Sequence, residues 1–106
     1  MGHHVQFESA TLRDDGTVLV TGPFSLFPNQ PKKDALIAFY LEQGATKIEG
    51  EGRWSTGHTE WSGTGRSGGL RAGPAQATGL AVHPLDDPPG FMTVSWSGQV
   101  KVTAAD

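Results

Sequence analysis

The chain has 106 residues, 8 Lys and Arg against 11 Asp and Glu, a formal net charge of -3, and no cysteine. That length suits a single domain with one core and leaves little chain for a deep catalytic cleft. The basic residues are scattered and form no stripe, which argues against nucleic acid as a partner, and the lack of cysteine excludes a disulfide framework and thiolate chemistry.

No apolar run is long enough for a membrane span or a signal-peptide core. Membrane insertion is therefore not expected. Beginning at Met1, the chain reads as cytoplasmic, or as exported if a signal peptide has been removed. Fifteen glycines and few strong helix formers favour an all-β chain with many turns.

In chain order, Val5 to Leu12 and Thr17 to Gly22 read as strands around Arg13-Asp14-Asp15-Gly16, where Asp-Gly signals a hairpin. The segment 23–33, PFSLFPNQPKK, reads as a proline-flanked connection. Its Phe24, Leu26 and Phe27 either cap one end of the fold or form an exposed apolar patch for a partner or a second copy. DALIAFYLEQG, 34–44, fits a short helix capped by Asp34 or a strand apolar on both faces; a strand is favoured because its neighbours all read as β.

KIEGEGRW, 47–54, alternates. Lys47, Glu49, Glu51 and Arg53 share one face; Ile48, Gly50, Gly52 and Trp54 share the other, where the glycines leave room for a large neighbour. A short strand from Thr59 to Gly63 leads into a glycine-rich loop, 63–69. Ala75 to His83 forms the next strand, and Asp86-Asp87-Pro88-Pro89-Gly90 turns the chain into the last one. There, Met92, Val94, Trp96, Gly98, Val100 and Val102 alternate with polar residues. About seven antiparallel strands at this spacing predict an immunoglobulin-like β-sandwich as one domain over 1–106. Trp54, Trp61, Trp96, Ile37, Phe39, Val18, Val20, Val94 and Val100 are its expected core.

Several stretches bear on chemistry. RWSTGHTEWSG, 53–63, admits two readings. In one, Trp54 and Trp61 form an aromatic platform for a sugar-like ligand, with His58 and Glu60 as polar contacts. In the other, a Thr56-Gly57 turn joins two strands whose tryptophans point inward. The second is favoured because tryptophan is mostly buried. His58 and Glu60, with His83 and Asp86, do not make the three or four ligands a zinc site needs, so no metal or other cofactor is expected. Gly63-Thr64-Gly65-Arg66-Ser67-Gly68 matches GxGxxG, but no helix can follow to meet a pyrophosphate. No GxSxG elbow is present, and the paired aspartates sit in turns. The chain is therefore not expected to be an enzyme. A non-catalytic binding or protein-interaction module is favoured, self-associating or with a protein partner; a small-ligand binder centred on 53–63 is the alternative.

Taken together, ATLRDDGTVLVTG (10–22), LEQG (41–44), GEGRW (50–54), EWSG (60–63), GLRAGPAQATGLAV (69–82) and VSWSGQVKV (94–102) give the chain an order of features that resembles the small immunoglobulin-like sandwich domains of uncharacterised actinobacterial proteins. The resemblance implies a sandwich and no reaction. Many such domains are exported and carry a cysteine pair, which this chain lacks.

Overall fold

A computed structural model describes residues 3–26, 34–84 and 90–104. It contains β1 (His3–Val5), β2 (Ser9–Leu12), β3 (Thr17–Leu26), β4 (Ala35–Gln43), β5 (Thr46–Trp54), β6 (Glu60–Arg66), β7 (Gly73–Pro84) and β8 (Phe91–Ala104). The all-β expectation holds, and 34–44 is a strand.

The sandwich expectation does not hold. β3 pairs with β2 on one edge and with β6 on the other, and the order runs on through β5, β4, β7 and β8. β8 then returns to β2, with Ala10, Thr11 and Leu12 opposite Val102, Thr103 and Ala104. The ring closes, so the fold is a mixed β-barrel of seven strands, not an immunoglobulin-like pair of sheets. Every pairing is antiparallel except β2–β8. Strand alternation separates an inner from an outer face equally well in a sandwich and in a barrel. The two differ in whether the edge strands meet.

β1 and β2 act as one interrupted strand along β3. Val5 faces Phe24 and Ser9 faces Thr21, so four steps on one strand match three on the other. This one-residue excess is a β-bulge, and it splits the strand expected over 5–12. Two further boundaries differ from expectation. Residues 23–26 continue β3, and β6 runs to Arg66, so most of the GxGxxG match lies within a strand.

The Asp-Gly hairpin forms as expected between β2 and β3. Gly16 takes a positive φ of 83°. Thr17 donates to the Asp15 carboxylate from its hydroxyl at 2.5 Å and from its backbone N–H at 3.0 Å. These bonds, the hydroxyl's first, hold the Asp15 carboxyl below its ordinary value. Their stabilising effect is present near neutrality and is lost as pH falls through that lowered value.

The interior is packed with side chains, as the small radius of a seven-stranded barrel requires. Val18, Val20, Ile37, Phe39, Trp54, Trp61, Val94 and Val100 are buried, and the partly buried Trp96 packs against them. Phe24 stacks on Trp54 at 4.8 Å and 22°. Phe7, Trp61 and Trp96 meet one another at 5.6–5.7 Å, and Phe39 meets Trp61 at 5.9 Å. Such pairs add about 0.5–1.5 kcal/mol each beyond area burial.

These rings fit because glycines face them. Gly50 opposes Gly65, and Gly52 opposes Gly63, across β5 and β6. A Cβ at Gly50 would collide with the Phe39 ring, and one at Gly63 would stand 2.8 Å from Phe39 and 2.7 Å from the Glu51 carbonyl. At Gly79 it would stand 2.6 Å from Trp96. Gly98 faces the same interior, yet a Cβ there would meet nothing within 4 Å. Overpacking therefore predicts that Gly63→Ala loses roughly 1–3 kcal/mol, whereas Gly98→Ala is neutral or stabilising by up to about 1 kcal/mol. Urea denaturation of the two variants checks this; equal stabilities would remove the glycine argument.

Candidate binding surface

The 53–63 segment is a corner. Gly57 takes a φ of 86°, and the His58 N–H donates to the Ser55 carbonyl at 3.1 Å. The Asp34 carboxylate accepts from the Thr56 N–H at 3.1 Å and ties the turn to the start of β4. Trp54 and Trp61 lie inside the barrel wall, each 1% exposed. The Trp54 indole N–H donates to the His58 carbonyl at 2.8 Å, and that of Trp61 to the Gln6 carbonyl at 3.0 Å. Neither ring presents a face at the surface. His58 and Glu60 are exposed on the outside, so the wall separates them from both rings.

Of the three residues read as either a cap on the fold or an exposed apolar patch, Phe24 is fully buried against Trp54, which agrees with the first reading. Phe27 and the Leu26 side chain lie outside the described residues, as do Asp86 and the side chains of His3 and His4. Among the described residues no group of three or more His, Cys, Asp or Glu side chains is placed to hold a metal ion.

The surface feature that stands out lies on the outer face of β6, β5, β4, β7 and β8. The register places Leu36 beside Val82, Ala38 beside Leu80 and Tyr40 beside Thr78. On the other side of β4 the same three residues meet Arg53, Glu51 and Glu49. Together they form a groove of about 1080 Å³ lined by Ala38, Tyr40 and Leu80, with Glu49, Glu51, Thr64 and Arg66 along one side and Thr78 and Ser95 along the other. Leu36, 62% exposed, and Leu80, 42% exposed, are the large hydrophobic side chains left in water among the described residues. They are diagonal neighbours on this face.

Charge and aromatic surface are arranged unevenly along the groove. The Lys47 ammonium sits 4.3 Å from the centre of the Tyr40 ring and occupies that face. Glu49 and Glu51 are exposed and have no ion-pair partner among the described residues. None of this was visible in the sequence, because the groove draws on five strands. The available signal was Leu36 and Leu80, apolar residues on the phase of their strands that faces water.

His83 is the other residue out of pattern. It points inward from β7 and is only 4% exposed, and neither ring nitrogen has a hydrogen-bond partner among the described residues. A buried polar group left unpaired costs about 1–3 kcal/mol.

No protein-family model matches the chain, and a search of curated proteins finds no match. No helix of the described residues is long and apolar enough to cross a membrane.

The His83 environment makes a direct prediction. His83→Leu keeps an apolar side chain of similar size in place and removes two unsatisfied nitrogens, so it should stabilise the fold by roughly 1 kcal/mol. Thermal and urea denaturation measure this. A clear loss of stability would show that His83 has a partner in solution.

Proposed function

We propose that the protein is a non-catalytic interaction module that engages a partner protein through the outer face of β5, β4 and β7. The observation that carries this is the juxtaposition of Leu36 and Leu80, both strongly exposed, on one stripe beside the groove. Single exposed apolar residues are ordinary; adjoining ones rimmed by polar groups mark contact surfaces. The groove is open, its floor is formed by Ala38, Tyr40 and Leu80, and hydroxyl groups and carboxylates stand at its sides, an arrangement that suits a polypeptide.

The unpaired Glu49 and Glu51 favour a segment that carries Lys or Arg beside apolar side chains. A sugar would call for a free aromatic face. Trp54 and Trp61 are buried, and Lys47 covers Tyr40, so the support runs toward a protein partner. Catalysis finds no support in the groove, which brings together no nucleophile, base and orienting group within hydrogen-bonding reach.

Selection of a random peptide library on the folded protein tests this reading, with counter-selection on the Leu36→Glu/Leu80→Glu double variant. The expected ligands combine apolar and basic residues, bind the parent, lose affinity at least severalfold on the variant, and shift the amide resonances of Ala38, Leu80 and Ser95. Ligands that bind both proteins equally, or whose shifts map elsewhere, would refute the assignment of the surface.

A further inference from the structure

The barrel is closed along only part of its length. β8 has 14 residues, and β7 pairs with it from Phe91 to Val102. On the opposite edge, β2 meets β8 only at Val102, Thr103 and Ala104. β1, which would continue that contact, pairs with β3 alone. No other backbone hydrogen bond reaches β8 among the described residues. Among the described residues the edge of β8 from Thr93 to Lys101 is therefore unpaired, with every second residue turning its N–H and C=O toward the seam. Phe7, from the segment between β1 and β2, packs against Trp96 at 5.7 Å.

Proteins blunt such edges with charge, proline, a bulge or short length. Thr93 to Val100 reads TVSWSGQV and contains neither charge nor proline. Its outer face offers Thr93, Ser95, Ser97 and Gln99, all exposed. These short or neutral side chains suit cross-strand pairing.

We propose that this edge pairs with itself: two copies of the chain join β8 to β8 antiparallel, about a two-fold axis at Ser97. The register follows from the side chains. A centre at Ser97 sets Ser95 opposite Gln99, Thr93 opposite Lys101, and Val94 opposite Val100 of the second copy. No like charges meet. It also sets each Gly98 opposite the other copy's Trp96. Inside the barrel, Trp96 already has a glycine as its cross-strand neighbour, Gly79 on β7. The space beside Gly98, where a Cβ would touch nothing within 4 Å, lets the same pairing recur on the free edge. A two-fold pairing is closed and adds no further copies. The seam uses the main-chain edge of β8, whereas the Leu36–Leu80 face uses side chains of the outer wall; Ser95 borders both, and the variants below tell the two surfaces apart.

Sedimentation velocity across a wide concentration range tests the proposal, combined with hydrogen exchange at low and high protein concentration. The expected result is a reversible shift from monomer to dimer, with amides in 93–101 exchanging more slowly as the dimer fills. Ser97→Lys places two ammonium groups side by side at the axis on an exposed position and should weaken association severalfold. Ser97→Thr should leave it intact, and Leu36→Glu/Leu80→Glu should not affect it. Unchanged tryptophan emission shows that each variant is folded. A monomer at every concentration, or a dimer indifferent to Ser97→Lys with no change in exchange over 93–101, would overturn the proposal.

Discussion

The structure depends on a steric match between inward glycines and large rings. Seven strands enclose a narrow interior, and this chain fills it with Phe7, Phe24, Phe39, Trp54, Trp61 and Trp96. Rings of that size fit only where the facing wall has no side chain. Gly50 and Gly63 supply that beside Phe39 on β5 and β6, and Gly79 supplies it beside Trp96 on β7. Gly50, Gly52, Gly63 and Gly65 also let β5 and β6 approach closely, because a Cβ on any of them would collide with the neighbouring backbone. The ring is closed by the β3–β6 and β2–β8 pairings, and its interior is filled with side chains. In the proposed reading, recognition therefore falls to the outer wall.

That displacement ties the fold to the proposed function. A wider barrel can hold a ligand in its mouth; this one spends its aromatic residues on its own core. The indole N–H groups of Trp54 and Trp61 are committed to the His58 and Gln6 carbonyls. The outer wall carries an aliphatic stripe at Leu36 and Leu80, two carboxylates without ion-pair partners among the described residues, and rows of hydroxyls. The incomplete seam at β8 adds main-chain donors and acceptors. Side-chain contacts on one surface and backbone pairing on the other are physically distinct means of contact. Together they suit a module that joins proteins.

Much of the local structure was legible in the sequence. Alternation located most of the strands, Asp-Gly located the first hairpin, and the inward phase of Trp54 and Trp61 followed from the spacing around Gly52 and the Thr56-Gly57 turn. The two glycines of GEGRW were legible as room for a large neighbour, and the ring that fills the space beside Gly50 is Phe39 from the adjacent strand β4. Closure was not legible. It depends on β3 meeting β6 and on β2 meeting β8, and period-two patterning says nothing about which edges join. The bulge between Val5 and Ser9 escaped notice because no glycine or proline marks it. The groove was hidden for the same reason as closure: Glu49, Leu80 and Ser95 are far apart in the chain, and only register brings them together. Phe24 was misplaced because Pro23 suggested a loop, whereas β3 carries the proline at its pairing with Glu60 and runs on to Leu26.

The parallel contact between β2 and β8 is what separates a barrel from a sandwich, so the most direct measurement is a nuclear Overhauser experiment on the folded protein. The barrel predicts inter-strand cross-peaks between the backbones of Ala10, Thr11 and Leu12 and those of Val102, Thr103 and Ala104, together with peaks linking Val20 to Gly63 across β3 and β6. If the β3–β6 peaks are present and the β2–β8 peaks are absent, the ring is open. If both sets are missing, the strands belong to two separate sheets, and the closed barrel with its ring-filled interior is wrong.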